Sequence, residues 1–294
     1  MDAGVAVRLL QVPYDSGVFD ARMGAGPFAL AGAGAARRLR GRGHAVREQV
    51  LAPSSEAGWR AELVTAFELH HAIANAVTAA RAVGQVPLML SGNCNATLGV
   101  LAGMTHPGRR LGLVWLDAHG DFNTPDTDTT GFLDGHGLAM AVGRCWQGVT
   151  ARIPGFTPVP ERQILLAGAR SLDDLEEAAL ADSDVTWLRP AQARDPDMVD
   201  AVVDDLADVV DAVHFHVDLD VHDPSIAPAN SYAAPDGLSA DEVQALLRRS
   251  IDRLPVVSAT LASYDPAFDP VGRMQNAALD LLELLADLAT PVDA

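Results

Sequence analysis

Short apolar runs alternate with amphipathic stretches along the chain. Eight runs of four to eight residues have the length and apolar content of buried β-strands, namely Val5–Val12, Val46–Ala52, Pro87–Leu90, Leu111–Leu116, Gln163–Ala167, Asp184–Leu188, Val213–Leu219 and Val256–Ala262. Between most of them, helical spacing of apolar residues predicts helices over Gly26–Arg42, Trp59–Val83, Asp173–Ala181, Asp195–Asp208, Ser239–Asp252 and Gly272–Leu288. This alternation predicts an α/β fold, with a largely parallel sheet covered by helices on both faces.

Two of the helical segments carry start signals. Ser239 is followed three residues later by Glu242, which is the pattern of a capping box, and Ser171 precedes the segment LDDLEEAAL. The sequence contains no linker rich in serine, glycine or proline, no internal repeat and no low-complexity segment. We therefore predict a single domain over residues 1–294.

Unusual polar residues follow the ends of the predicted strands. The segment SGNCNATLG comes after Leu90, DAHGDFNTPDTDTT after Leu116, DVHDPSIAPAN after Leu219 and SYDPAFDP after Ala262. Ligands bind to open parallel sheets at the carboxyl ends of the strands. The sequence therefore predicts a functional site at this edge of the sheet.

The segment VHFHVDLDVHDP, residues 213–224, alternates strictly between apolar and polar residues. This pattern predicts a strand with one apolar face. The polar face ends in Asp218 and Asp220, which an extended chain would place about 7 Å apart. His214 and His216 lie farther back on that face, and we predict that they are packed, hydrogen-bonded core residues rather than ligands.

A second alternating segment, WLDAHGDFN, carries Asp117, His119 and Asp121 at every second position. Extended spacing predicts that these three side chains share one face and converge with Asp218 and Asp220. Two carboxylates about 4 Å apart repel by roughly 4 kcal/mol at an effective dielectric of about 20, so a cluster of four is unstable without cations. Two divalent ions would neutralise the cluster. Oxygen ligands with one imidazole favour Mn²⁺ or a similar ion over a structural zinc.

Composition and charge restrict the possible partners. The chain has 39 acidic and 21 basic residues and a formal net charge of -18, which argues against binding to nucleic acid or to an anionic membrane surface. No stretch of 18 consecutive apolar residues and no basic leader with a long apolar segment is present. Cys94 and Cys145 do not make a disulfide framework, so a cytoplasmic protein is expected.

The segments DAHGDFNTP and HVDLDVHDPSIAPA resemble the signatures of the arginase/agmatinase (ureohydrolase) family, D-A-H-x-D and S-x-D-x-D-x-x-D-P-x-x-A-P. The resemblance extends over nearly the whole chain. It implies a three-layer α/β/α sandwich on an eight-stranded, mainly parallel sheet. It also implies two Mn²⁺ ions bridged by a hydroxide that attacks a guanidinium carbon, a small-molecule substrate, and assembly into homo-trimers or hexamers.

The resemblance also implies a set of metal ligands at three strand ends. Asp117 and Asp218 would bridge the two ions. Asp121 would complete the coordination of one ion, and His119 and Asp220 that of the other. In that case the metal ions would lower the pKa of bound water and supply a nucleophile at neutral pH.

The loop that carries the family's sixth ligand departs from the family pattern. The family has G-G-D-H-S, whereas this chain has SGNCN, so that Cys94 takes the place of the histidine and Asn93 that of the aspartate. Either Cys94 binds metal as a thiolate, which shifts the preference towards softer ions, or it is a buried cysteine and one ion is under-coordinated. A hydroxyarginine-hydrolase branch of the family is similar to this chain in having a cysteine there.

Other positions bear on the substrate and on proton transfer. Asn123 matches a position that contacts the amino-acid end of the substrate in the family. Asp134 aligns with the family's proton-shuttling histidine, and His136, two residues later, is a possible replacement. Ser263 takes the place of the glutamate that holds the guanidinium, with Asp265 two residues on.

Three functions fit these residues. The first is a binuclear metallohydrolase of linear C–N bonds in a guanidino, hydroxyguanidino or amidino metabolite. The second is a metal-dependent amide hydrolase, similar to deacetylases, with a neutral substrate, and Ser263 favours it. The third is a metal-binding pseudoenzyme. It predicts a lost ligand set, whereas five of the six family ligands are retained.

Overall fold

The structure is a computed structural model that describes residues 4–53, 61–251 and 253–291. In chain order its strands are β1 (Ala6–Val12), β2 (Tyr14–Asp15), β3 (Val18–Phe19), β4 (Ala45–Val50), β5 (Val86–Ser91), β6 (Leu111–Leu116), β7 (Ile164–Ala167), β8 (Thr186–Leu188), β9 (Ala212–Asp218) and β10 (Val256–Ala262). The α-helices are α1 (Gly26–Gly32), α2 (Ala35–Gly41), α3 (Glu62–Arg81), α4 (Thr97–Met104), α5 (Gly137–Ala141), α6 (Gln147–Thr150), α7 (Asp174–Ala181), α8 (Pro190–Ala193), α9 (Pro196–Val209), α10 (Ala240–Ile251) and α11 (Arg273–Leu288).

Eight of these strands form one sheet in the order β4-β1-β5-β10-β9-β6-β7-β8, and every pair of neighbours is parallel. They coincide with the eight apolar runs to within two residues at each end. The strands β2 and β3 form a separate antiparallel ribbon. The predicted α/β fold on an eight-stranded parallel sheet is therefore confirmed.

Helices cover both faces of the sheet. On one face, a core that includes Leu88 and Phe215 packs against α2, α9, α10 and α11. On the other, Met89 and Trp115 belong to cores shared with α3, α4 and α5. Burial on both faces makes β5, β9 and β10 buried along their whole length, as expected for central strands of a parallel sheet.

The helix predictions need several corrections. The segment Gly26–Arg42 forms two helices, because Gly34 has a φ of 101°, a left-handed conformation that ends the first. The cap of α7 is Asp173 and not Ser171, because Asp173 and Glu176 form the capping box. The short helices α5, α6 and α8 were not predicted. The start of the predicted segment Trp59–Val83 lies outside the described residues, as does Asp252.

The helix α4 was also missed. All eight of its residues are buried, so its sequence lacks the polar face on which helical periodicity depends. By contrast, the capping box of α10 is confirmed: the Ser239 amide donates to Glu242 Oε2 at 2.8 Å, and the Glu242 amide donates to Ser239 Oγ at 3.2 Å. None of the helices in the described ranges is long and apolar enough to cross a membrane.

The sheet order explains where the unusual polar residues meet. The four central strands are β5, β10, β9 and β6. Just beyond or at their carboxyl ends lie Cys94, Ser263, Asp218 and Asp117, respectively. Residues that are far apart in the sequence therefore face one another across three adjacent strand gaps of about 4.8 Å each.

Candidate metal centre

A cavity of about 560 Å³ opens at this edge of the sheet. Eight of the ten predicted site residues line it, namely Cys94, His119, Asp121, Asn123, Asp134, Asp218, Asp220 and Ser263. Asp117 lies within 4.8 Å of the ligand atoms of His119 and Asp220. His136 is not part of the cavity wall.

Turns, and not an extended backbone, aim the carboxylates. Asp117 Oδ1 accepts a hydrogen bond of 2.7 Å from the His119 amide, and Asp218 Oδ1 accepts one of 2.7 Å from the Asp220 amide. Asp121 has a φ of 48°. The predicted strand is confirmed as far as Asp218, but the extended spacing predicted from Asp218 to Asp220 and from Asp117 to Asp121 is wrong. Short polar side chains bond to the backbone two residues on and bend the chain there.

One group of potential ligands consists of Asp117, His119 and Asp220, whose ligand atoms all lie within 4.8 Å of one another. His119 Nδ1 is 3.3 Å from Asp117 Oδ1 and 3.4 Å from Asp220 Oδ2. Burial by itself lowers the pKa of His119, but the two carboxylates outweigh it and raise that pKa to about 9. A divalent cation would take the place of this proton, so the donor set fits a metal ion.

The other two carboxylates are buried without a countercharge. Burial raises the pKa of Asp121 well above its usual value, and the charges of Asp117 and Asp134 raise it further. Burial and then Asp220 raise the pKa of Asp218 in the same way. Asp121 Oδ2 has no hydrogen-bond partner within the described part of the chain. An orphaned buried carboxylate oxygen facing other carboxylates is what a site for a cation requires.

Cys94 lies in the middle of this cluster. Its Sγ donates to Asp218 Oδ2 at 2.9 Å and lies 3.2 Å from Ser263 Oγ. Burial, followed by the charge of Asp218, raises the pKa of the thiol well above its ordinary value. Without a metal ion the sulfur is therefore a protonated donor, and only a cation would convert it to a thiolate.

Asp134 holds the loop that carries Cys94. Its carboxylate accepts hydrogen bonds from the Asn93 side chain at 2.8 Å, the Cys94 amide at 3.0 Å and the Asn95 amide at 2.8 Å. Burial raises its pKa to about 7 in spite of these bonds. This geometry favours a positioning role for Asp134, which sequence reasoning had considered for proton transfer.

His136 has both ring nitrogens engaged. Trp146 Nε1 donates to its Nδ1 at 3.0 Å, and its Nε2 lies 3.1 Å from Asp128 Oδ2. Because an indole nitrogen only donates, the neutral ring carries its proton on Nε2 and gives it to Asp128. A role for His136 in proton transfer stays a prediction, and its contacts orient Asp128 at the cavity wall.

Asn123, predicted to bind substrate, lies in the cavity wall. Its Oδ1 accepts from Thr127 Oγ1 at 2.8 Å, and its Nδ2 donates to Asp173 Oδ2 at 3.4 Å. Together with Asp173 and Glu176 it makes this side of the cavity polar. Phe132 and Tyr232, whose rings stack with centroids 5.3 Å apart, make another part of the wall aromatic.

Sequence reasoning missed Glu176, which is buried beneath the loop that carries His119. Its Oε1 accepts from the Phe122 amide at 2.9 Å. A Cβ on Gly120 would lie 2.7 Å from this same oxygen, so any larger residue there would displace the carboxylate of Glu176. The only signal in the sequence was the place of Glu176 in a helix start, which indicates capping and not support of a site.

Arg170 was also missed. Its guanidinium donates to six backbone carbonyls, those of Gly168, Asp220, Val221, His222, Ala234 and Pro235, at 2.7–3.4 Å. Five of these carbonyls belong to the turn after β9 and to the loop that follows it, and that of Gly168 lies just after β7. Arg170 therefore fixes the backbone from which Asp220 projects.

Replacing Arg170 by lysine is expected to weaken divalent metal binding by about 10- to 100-fold, the usual effect of losing a residue that orients a ligand. An ammonium has three donors on a flexible stem and cannot hold six carbonyls. Isothermal titration with Mn²⁺ checks this. The matched control is Arg110→Lys, which alters an arginine just before the amino end of β6, at the opposite edge of the sheet, where it pairs with Asp211. Equal affinities for Arg170→Lys and the unaltered protein would contradict the assignment.

Residues 5–286 match the model of the arginase family. The match covers nearly the whole chain and includes each strand end described above. This chain belongs to the arginase family. It is accordingly a hydrolase of carbon–nitrogen bonds other than peptide bonds, in linear amidines. The predicted arginase/agmatinase family is thereby confirmed.

Arginase-family relatives resemble the chain over most of its length. An arginase of Bacillus caldovelox is 27% identical over 288 residues, which are 94% of this chain and 96% of the relative. An N(omega)-hydroxy-L-arginine amidinohydrolase of Streptomyces lavendulae is 29% identical over 83% of this chain and 84% of its own length. The solved structure of the B. caldovelox arginase superposes with a TM-score of 0.85 at 25% identity, over 96% of this chain and 98% of that one.

Proposed function

We propose that the chain hydrolyses the C–N bond of a small guanidino compound, and that an N-hydroxyguanidino compound is its preferred substrate class. The observation that supports this is the group Asp117, His119 and Asp220 at the inner end of a cavity that carries Ser263 in its wall. The family is metal dependent, and the donor set fits divalent cations. We also propose that two ions bind, and that Mn²⁺ occupies the site made of oxygen and imidazole ligands.

Each residue has a defined part in this proposal. Asp117, His119 and Asp220 would hold one ion, and Cys94, Asp121 and Asp218 lie where they could be among the ligands of the other. When bound, the ions would polarise the substrate and lower the pKa of water enough to make it a nucleophile at neutral pH. Asn123, at the polar side of the cavity, would bind the end of the substrate that does not react.

Ser263 supports the choice of substrate. It is buried, its Oγ lies 3.2 Å from Cys94 Sγ, and its backbone carbonyl accepts from Asn230 Nδ2 at 2.9 Å. A hydroxyl cannot neutralise a guanidinium cation as a carboxylate can, but it can bond to the oxygen of an N-hydroxyl. The electron-withdrawing oxygen also makes an N-hydroxyguanidine less basic than a guanidine. Its neutral form can therefore enter a cavity that lacks the carboxylate needed to pair with a guanidinium cation.

The test is urea release from L-arginine, agmatine and N-hydroxy-L-arginine. We expect kcat/KM for the N-hydroxy compound to exceed that for arginine by about tenfold or more, which corresponds to one hydrogen bond of about 1.4 kcal/mol. Ser263→Ala should reduce this preference. Ser171→Ala, which alters another serine of the cavity wall, should preserve it.

Other outcomes distinguish the alternatives. Release of acetate from acylamino compounds without urea from any guanidino compound would favour the deacetylase-like amide hydrolase. Stoichiometric metal binding without any turnover would favour the pseudoenzyme. The proposed trimer or hexamer rests on the family resemblance, and light scattering of the purified protein tests it.

A further inference from the structure

His216 is a fully buried histidine whose two ring nitrogens have different surroundings. Its Nδ1 lies 2.8 Å from Thr97 Oγ1, whereas its Nε2 has no hydrogen-bond partner in the ranges that the structure describes. The ring stacks on Trp115 with centroids 3.7 Å apart and an interplanar angle of 24°. A buried polar nitrogen without a partner is rare and needs a physical explanation.

His214 gives the comparison within the same strand. It is two residues earlier on β9 and equally buried, and both of its nitrogens are bonded, Nδ1 to Ser258 Oγ at 2.8 Å and Nε2 to Thr260 Oγ1 at 3.2 Å. His214 is therefore the hydrogen-bonded core histidine that the sequence predicts. For His216 the same prediction holds only for Nδ1, which is the nitrogen that lies beside Thr97.

The free nitrogen belongs to a cluster of three different donors. A ring nitrogen of His216, Cys94 Sγ and a carboxylate oxygen of Asp117 all lie within 4.8 Å of one another, and all three side chains are buried. Because Thr97 occupies Nδ1, Nε2 is the nitrogen that remains for a ligand. If the hydroxyl of Thr97 accepts from Nδ1–H, then Nε2 presents its lone pair.

The cluster lies deeper than the cavity. Cys94 lines the cavity, but Asp117 and His216 do not. Trp115 covers one face of the imidazole, and its Nε1 donates to Asp117 Oδ2 at 3.0 Å, so a single indole orients two of the three donors. Such orientation by neighbouring groups is typical of residues that bind metal ions.

We propose that Cys94, Asp117 and His216 form a thiolate–carboxylate–imidazole site for the second metal ion. The imidazole absent from the loop at Cys94 would then be supplied by β9. One sulfur, one nitrogen and one oxygen in an enclosed position suit Zn²⁺ or Co²⁺ better than Mn²⁺. On binding, the S–H bond of Cys94 breaks, its proton leaves to solvent and the sulfur lone pair binds the ion. The proposal rests on the proposed function in one respect, since Asp117 also belongs to the group with His119.

The experiment titrates the metal-free protein with Co²⁺ and, separately, with Zn²⁺. A thiolate-to-cobalt charge-transfer absorption should appear with one equivalent of Co²⁺, and it should be absent in Cys94→Ala. X-ray absorption at the zinc edge should show one sulfur and at least one imidazole nitrogen on the same ion. Alkylation of Cys94 by iodoacetamide should slow by at least tenfold when Zn²⁺ is bound.

Two matched variants test the nitrogen. His216→Gln should lower the affinity for the sulfur-bound ion by about 100-fold. His214→Gln, on the same strand and equally buried, should change that affinity by no more than about twofold. Metal-bound spectra of the unaltered protein keep the test valid if His216→Gln does not fold. Thr97→Val, which removes the hydroxyl at Nδ1, should weaken the same ion about tenfold.

An ion shell of oxygen and imidazole only, with equally fast alkylation of Cys94 with and without Zn²⁺, would overturn the proposal. So would normal Co²⁺ affinity in a folded His216→Gln variant. Either result leaves the proposed hydrolase intact, because urea release by protein loaded with Mn²⁺ is measured independently. Conversely, a sulfur-bound ion in a protein that releases no urea from any guanidino compound would support this metal site and contradict the proposed hydrolase function.

Discussion

Replacing Asp117 by asparagine is expected to lower urea release by about a thousandfold or more. Asp117 is the one residue shared by both groups of potential ligands among the described residues. Its loss would weaken the binding of both ions. A metal ion contributes several kcal/mol to stabilising the transition state, and each 1.36 kcal/mol is a factor of ten in rate.

The measurement combines elemental analysis of the purified variant with kcat/KM for urea release. The control is Asp128→Asn, which alters a carboxylate of the cavity wall that lies outside both groups and should leave the metal content unchanged. An Asp117→Asn variant that retains two ions per chain and normal turnover would rule out the site as described.

The second large effect is a stability that falls as pH rises from about 7 to about 9 in metal-free buffer. Burial keeps the pKa values of Asp121, Asp218 and Cys94 well above their ordinary values. The pKa of His119 is raised to about 9, whereas that of Asp134 is raised to about 7, so the effect of Asp134 lies mostly below this range. In this range the native state therefore holds protons that the unfolded chain has lost, and the free energy of unfolding decreases with pH.

Other buried histidines do not reverse this sign. Burial lowers the pKa of His70 to about 4 and that of His214 to about 3. These groups are neutral in the native state and lower stability only below their ordinary pKa of about 6.5, because there the unfolded chain gains the proton. Their effect is confined to acidic pH and does not extend into the range from 7 to 9.

Saturating divalent metal should reverse the pH dependence, because ligands must lose their protons to bind. At a free metal concentration of about 1,000 times Kd, one ion adds about 4 kcal/mol of stability. For a domain of this size, that corresponds to roughly 8 °C in melting temperature. Differential scanning calorimetry at pH 7 and 9, with Mn²⁺ and with chelator, measures both effects.

Asp121→Asn is the informative variant for this experiment. Asparagine tolerates the φ of 48° at this position, so the change removes a buried charge without adding backbone strain. The metal-free variant should melt at the same or a higher temperature than the unaltered protein, and it should gain less from Mn²⁺. A melting temperature of the unaltered protein that ignores Mn²⁺, chelator and pH would contradict the whole account of the cluster.

The sequence by itself determined the sheet and indicated which carboxylates meet at its edge. Burial on both faces makes parallel strands continuous apolar runs, so each of the eight strands could be recognised locally. The polar segments after Leu116 and at Asp218 were equally visible, because carboxylates at this spacing after an apolar run are unusual. Both signals depend on neighbours in the chain.

Only the tertiary structure decided what depends on neighbours in space. The helix α4 is buried on every side, so its sequence shows no periodicity. The sequence around Arg170 is that of an ordinary surface arginine, and only the fold brings five carbonyls of a distant segment to its guanidinium. His214 and His216 cannot be distinguished by their spacing in the sequence. They differ in their neighbours: Ser258 and Thr260 bond to both ring nitrogens of His214, whereas Cys94 and Asp117 lie beside the ring of His216. Hydrogen bonds and metal sites are made between strands, and the order of the strands is a property of the folded chain.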